Sequence, residues 1–318
     1  MFHLVKNARI LPYTKSTIQF FGWSLPSHGV SYPDCGKVKA KGCNHVFEHP
    51  EAKVFVRYYK ASCMRKSCPV CFEDWAYAEA FRSLCRISAY VLGADFVENL
   101  LARSKAKFRH RNPHYFYDHV IFDLEHRLQR SNLRVKHVVV SPSPDSKFDK
   151  ESFRKLRSKA YRIAKKSGLK GGIMVFHPSR LHCEKCGSAI PDYADACVCG
   201  CQSFVWVASP HFHVVGFGWI EDTADLYARS GWVVKNLGIR RSVYHTIAYL
   251  MSHAGVYEDP EPAIYKKDIV RFHAVTWFGQ LSYNKLSFHF PVPMKAVCPH
   301  CGAVLRPCEF IGGLDRPP

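Results

Sequence analysis

Acidic residues are scarce in this chain. Asp and Glu number 26 against 45 Lys and Arg, so the formal charge of the 318 residues is +19. That balance points to a polyanion as partner, nucleic acid or a membrane surface. Long apolar runs are missing too. No segment approaches 18 uninterrupted apolar residues, which excludes a helical membrane span. Residues Met1 to Trp23 have no uninterrupted apolar core and no small-residue cleavage site, so no signal peptide is expected. No GxxxxGK[ST] loop occurs, so an attached P-loop helicase is not expected. The apolar fraction is not low: at 47% it can fill a sizeable core in one large domain or two to three smaller ones.

The basic charge is concentrated. Residues 101 to 170 carry 19 basic and 6 acidic side chains. Tyr115, Phe116 and Tyr117 lie in the same stretch, and a basic groove with aromatic platforms is how single strands are held. Within it, a helix is expected from Glu151 to Lys166, N-capped by Asp149, with Phe153, Leu156, Ala160 and Ile163 at helical spacing and Gly168 as its stop. Its outward residues Arg154, Lys155, Arg157, Lys159 and Lys165 are candidate DNA phosphate contacts. A merely solvated basic face is the competing explanation.

Cysteine is abundant, at 14. In a reducing compartment that number means metal sites more readily than disulfides. Three modules are expected to bind structural zinc. In residues 1–95, the knuckle Cys68-Pro-Val-Cys71 is joined by Cys63, with Cys35 and Cys43 completing the set and His45 and His49 as competitors. A zinc ribbon at 181–202 offers Cys183, Cys186, Cys197, Cys199 and Cys201, one of them surplus. In residues 291–318, Cys298 and Cys301 form half a ribbon. Cys308 is a third ligand candidate there, and the fourth must come from His300 or the N-terminal region. Cys85 falls on an expected packed helix, 73–92, as a buried thiol. Residues 96–130 read as a charged helical connector bearing Arg109-His110-Arg111.

From Arg134 the pattern changes. Val135 to Ser141 is rich in β-branched residues and reads as a strand, as does Gly172 to Phe176, which ends at His177. The stretch Pro210 to Gly218 holds His211-Phe212-His213. In a strand the two histidines share one face, and two imidazoles there can aim at one divalent ion. A short helix over 223–228, a strand at Val233–Val234 and a strand at Asp268–Phe278 are also expected. The helix Ser242 to Ala254 has Val243, Ile247, Leu250 and Ala254 as its apolar stripe. Tyr249 and His253 neighbour each other off that stripe at i and i+4, His245 lies one turn before Tyr249, and Tyr244 lies on the opposite flank.

The strand closing on Ser141-Pro142, the His211-Phe212-His213 strand and the helix bearing Tyr249-Leu250-Met251-Ser252-His253 occur in that order. Together they resemble the HUH endonuclease superfamily, most of all rolling-circle replication initiators of prokaryotic, archaeal-type plasmids and viruses. The resemblance covers about Arg134 to Phe278. It implies an α+β fold, an antiparallel sheet flanked by helices (an HUH, ferredoxin-like core), over 131–290. It implies a divalent metal, Mn or Mg, on His211 and His213. Tyr249 becomes the nucleophile on a single-stranded DNA origin, keeping the 5′ phosphate and freeing a 3′ hydroxyl. Many members carry a lysine near the tyrosine; His253 stands there in this chain. His177 becomes the third metal ligand if its strand is the antiparallel neighbour of the histidine strand. A host polymerase and helicase are the implied partners, and the cytoplasm of a prokaryotic cell the implied location. An HUH transposase is the near alternative. A non-catalytic zinc-ribbon protein that binds nucleic acid is the distant one, and it requires no metal at His211 and His213.

Overall fold

The computed structural model describes residues 27, 29–108, 113–143, 153–190, 196–220, 223–254, 274–290 and 296–308. The chain is α+β, with antiparallel sheets flanked by helices. In chain order its strands are β1 (Val38–Gly42), β2 (Val56–Lys60), β3 (Lys136–Ser141), β4 (Leu169–Cys183), β5 (Ala189–Ile190), β6 (Phe204–Gly218), β7 (Val233–Ile239), β8 (Val275–Gly279) and β9 (Arg306–Cys308). Its helices are α1 (Phe72–Leu92), α2 (Ala94–Lys107), α3 (Pro113–Arg130), α4 (Phe153–Lys166), α5 (Thr223–Ser230) and α6 (Val243–Met251). Among the described residues no helix is long and apolar enough to cross a membrane. Asp149, Arg109-His110-Arg111 and the start of the strand expected at Asp268 lie outside the described residues.

The large sheet runs β5-β4-β6-β3-β7, with β8 also on β4, and every pairing is antiparallel. β4 and β6 form one long hairpin interrupted by the cysteine insert. They approach closely where Gly216 crosses Gly171 and Gly172: a Cβ on Gly216 would overlap the Gly171 carbonyl oxygen.

Side chains alternate along each strand, so the sheet presents two apolar faces. Ile173, Val175, Val215 and Phe217 face α1, α2, α3 and α6. Val138, Val140, Met174, Phe176, Phe212 and Val214 face α4 and α5, through Phe153, Ala160, Ile163 and Leu226. Each face is therefore covered by helices and dry. The charged segment expected as a connector behaves differently from that expectation. It forms α2 and α3, and their apolar stripes (Val97, Leu101, Val120, Ile121, Leu124) are buried in the same core as the sheet. Gly93, with φ +98°, makes the corner between α1 and α2 that L-residues disfavour. The strand at β4 is also far longer than the Gly172–Phe176 core that its β-branched run suggested, because pairing with β6 extends it.

A second sheet, β2-β1-β9, joins the two ends of the chain. Gly42 pairs with Arg306 and Ala40 with Cys308.

Candidate metal centres and the tyrosine helix

The register of β4 against β6 places His177 opposite His211. Directly paired residues in an antiparallel sheet point to the same side. His177, His211 and His213 therefore meet on the α6 face, and their ligand nitrogens lie within 4.8 Å of one another. His177 and His211 are buried. Their hydrogen bonds dispose of one ring nitrogen each. His177 Nε2 donates to the Leu250 carbonyl at 2.8 Å, and His211 Nδ1 donates to the Ser209 carbonyl at 2.7 Å. Carbonyls only accept, so each ring keeps a lone pair on its other nitrogen. His213 Nδ1 faces His137 Nε2 at 2.7 Å; with the proton on His213 Nδ1, its Nε2 is unprotonated as well. His211 Nε2 and His213 Nε2 stand 3.1 Å apart. Two imidazole nitrogens bound about 2.1 Å from one ion would stand about 3.0–3.4 Å apart, so the pair fits a divalent ion.

Electrostatics agree with that role. Burial holds His211 and His213 well below the usual imidazole range, and the charge of Arg180 and the neighbouring histidines push the same way. Both rings are neutral at pH 7, the form that binds metals. His137 is pushed down to about 3 by burial, then by Arg240 and His177. It sits on β3 opposite Val215, which puts it on the same face. Sequence reading missed it, since a single histidine in a β-branched run carries no signal until β3 docks on β6.

Helix α6 covers this site. Its stripe Val243, Ile247, Leu250 and Ala254 is buried, as the periodicity required. Tyr244 is also fully buried, and burial raises its hydroxyl pKa. Tyr249 is half-buried, with its ring 6.0 Å from His253 in an edge-on arrangement. His253 is more enclosed than a cleft-facing residue: it lies 5.2 Å from the Trp206 ring and 5.9 Å from His177. Burial lowers its pKa to about 3, so it is neutral and a far weaker base than one poised near 7. His245, placed by helical spacing in the row beside Tyr249, turns to the helix start instead, where its Nδ1 is 2.7 Å from Ser242 Oγ.

The start of α6 is held by a residue that no local pattern announces. Glu125 of α3 accepts from Ser242 Oγ (3.1 Å) and from the amides of Val243 (3.1 Å) and Tyr244 (2.5 Å). A carboxylate there satisfies amides that lack helical partners and complements the positive end of the helix. Burial raises the pKa of Glu125, and the two amide bonds and Ser242 oppose that shift.

The cysteines gather into three groups that could hold zinc. Cys35, Cys63, Cys68 and Cys71 form the first, and Cys43, expected among them, belongs elsewhere. Cys43 and His49 join Cys298 and Cys301, with Cys43 Sγ 3.5 Å from Cys301 Sγ and His49 Nε2 3.1 Å from Cys298 Sγ. The reason is tertiary: β1 pairs with β9 and brings the two chain ends together. His49, between two single 3-10 turns, donates its Nδ1 proton to the Lys53 carbonyl, which leaves Nε2 facing the sulfurs. The third group is Cys183, Cys186, Cys197 and Cys199, with sulfur separations of 3.5 Å (183–199) and 3.4 Å (186–197). Tetrahedral thiolates at about 2.3 Å from zinc stand about 3.8 Å apart, so these groups need only small adjustment. Cys201 is the surplus residue: its sulfur bonds the Ser203 backbone instead. Cys308 stands outside these groups, its sulfur packed against Gly42. Cys85 is buried in the α1 core, as expected.

The basic helix α4 presents Arg154, Lys155, Lys159 and Lys165 to solvent, while Arg157 is half-buried over the Phe153 ring. It packs on the sheet face opposite the histidines. The expected phosphate contacts and the histidine trio are thus on different sides of one sheet.

No protein-family model matches the chain, and neither a search of curated proteins nor one of solved structures found a match.

Proposed function

We propose that the protein is a metal-dependent tyrosine endonuclease of the HUH type, one that nicks and rejoins single-stranded DNA to start rolling-circle replication. The observation that carries this reading is the histidine trio. Three rings from two paired strands, each with its second nitrogen committed to a hydrogen bond, converge beneath the helix that bears Tyr249. A histidine whose outer nitrogen is fixed by a partner is the usual form of a metal ligand.

His177, His211 and His213 would hold the divalent ion, Mn or Mg in the resemblance. When bound, it would polarise the scissile phosphodiester and offset charge on its oxygens. The Tyr249 oxygen then attacks phosphorus, and its proton passes through solvent to the departing 3′ oxygen. The bond from phosphorus to the 3′ oxygen breaks, and that oxygen leaves with a proton as the free 3′ hydroxyl. The 5′ phosphate stays on Tyr249, and the same step in reverse rejoins the strand. Neutral His253 has its ring 6.0 Å from that of Tyr249 and 5.9 Å from that of His177, and it does not serve as a strong base. Glu125 fixes the start of α6, and the Leu250 carbonyl ties its end to His177.

Incubation with a labelled pool of single-stranded origin sequences and manganese tests the reading. A covalent protein–DNA adduct that maps to Tyr249 is the expected result. Tight DNA binding with no adduct and no manganese at the trio would instead favour a non-catalytic zinc-ribbon protein that binds nucleic acid.

A further inference from the structure

Arg180 lies on β4, three residues past His177 and beyond the register shift that follows it. Its guanidinium is half-buried and donates to Ser141 Oγ at 2.7 Å. Ser141 ends β3, on the far side of β6 from β4. The side chain therefore crosses β6 to reach it. Ser141 follows Val140, the β3 partner of Phe212, so the contact brings the guanidinium to the His211–His213 stretch of β6, where its charge disfavours protonation of both rings. Burial penalises the guanidinium itself. Among the described residues no carboxylate pairs with Arg180, and its one hydrogen bond uses one of five N–H donors. A half-buried cation without a counter-ion is unfavourable, and one beside a site that would carry a dication is more so. No carboxylate belongs to the trio either. A guanidinium beside neutral histidines, with no carboxylate among the described residues at hand, suits an anionic ligand.

We propose that Arg180 is the phosphate-binding half of this site, its guanidinium taking a non-bridging oxygen of the phosphodiester that the histidine trio faces. The proposal rests on the endonuclease reading for its substrate, and the ligand chemistry is a phosphate oxygen anion. Guanidinium suits this role better than ammonium, because its planar fork can offer two parallel N–H groups to one phosphate. Ser141 is a positioning residue: its hydroxyl holds one edge of the fork and leaves the other edge for the ligand. The fixed donor stabilises charge on the phosphoryl oxygens without reorganising during the reaction.

Inorganic phosphate is the probe, and the full chain is used. Manganese binding is followed by electron paramagnetic resonance, and phosphate binding by phosphorus relaxation and calorimetry. Arg180→Gln should weaken phosphate about tenfold or more while leaving manganese affinity unchanged or slightly raised. Arg180→Lys should fall between, and Ser141→Ala should weaken phosphate several-fold. Equal phosphate affinity in wild type and Arg180→Gln overturns the proposal, and so does a wild type that binds no phosphate. If Arg180→Gln does not fold, Arg180→Lys decides: unchanged affinity overturns it. The endonuclease reading fails separately, if manganese binding survives loss of both His211 and His213. In that event, phosphate titrated against the metal-free protein still tests Arg180, and the same loss in Arg180→Gln upholds it.

Discussion

His137 Nε2 lies 2.7 Å from His213 Nδ1, across the β3–β6 pair. This contact adds a residue from a third strand beside the three histidines that could hold a metal. With the proton on His213 Nδ1, His137 Nε2 accepts it and His213 Nε2 keeps its lone pair. His137→Ala should therefore lower manganese affinity by about 10- to 100-fold, the range found for outer partners of metal-bound histidines. His137→Gln, whose amide oxygen can still accept a hydrogen bond from His213 Nδ1, should recover part of it. Calorimetry on the zinc-loaded protein reads both, and unchanged affinity in His137→Ala would show that His213 needs no such support.

Metal analysis should find three zinc per chain when the four-ligand groups are filled. Replacing Cys199 or His49 by Ser or Ala should each remove one zinc. Cys201→Ser and Cys308→Ser should remove none, because neither sulfur belongs to a group. Loss of the His49 site should also loosen the chain ends, since structural zinc contributes folding free energy directly. Disulfides in place of zinc would refute the assignment.

Tyr249→Phe should bind metal and single-stranded DNA normally yet form no adduct. Tyr244→Phe should still form adducts. Tyr244 is core, so its truncation to Ala should destabilise the fold by about 3–5 kcal/mol, as deletion of a buried aromatic does. Peptide mapping that puts the nucleotide on Tyr244 would reverse the two roles.

Stability should fall in acid before the carboxylates titrate. His137 and His253 have folded pKa values of about 3, against an ordinary 6.5. Between those values the unfolded chain takes up protons that the folded chain refuses. The contribution of these two histidines should thus be constant above about pH 7 and be lost as pH drops below 6.5. Each such histidine contributes a slope of about 1.4 kcal/mol per pH unit. Denaturant midpoints measured from pH 7.5 to 5 check the sign; a flat profile contradicts the burial of these rings.

Neutralising Arg154, Lys155, Lys159 and Lys165 should flatten the dependence of log affinity on log salt by about 0.7 for each lost contact with a single strand. Because α4 is on the opposite sheet face, adduct formation at saturating DNA should be unaffected. An unchanged salt slope would leave α4 as a solvated face.

Much of this architecture was legible in the linear chain. Local periodicity was enough for β3, α4 and the tyrosine helix, because backbone sterics and side-chain alternation act within a few residues. The HxH pattern put His211 and His213 on one face for the same reason. Cysteine spacing marked three modules, but not their membership. Cys43 and His49 are matched to Cys298 and Cys301, about 250 residues away, only when β1 finds β9. His177 depended on register, since a shift of one residue would turn it to the other face. His137, Glu125 and Arg180 had no local signature at all. Each acquires its role from burial beside groups on other elements, and burial is a property of the packed chain. The same holds for α4: periodicity identified its outer face, while the side of the sheet on which it packs was decided by which apolar face it covers.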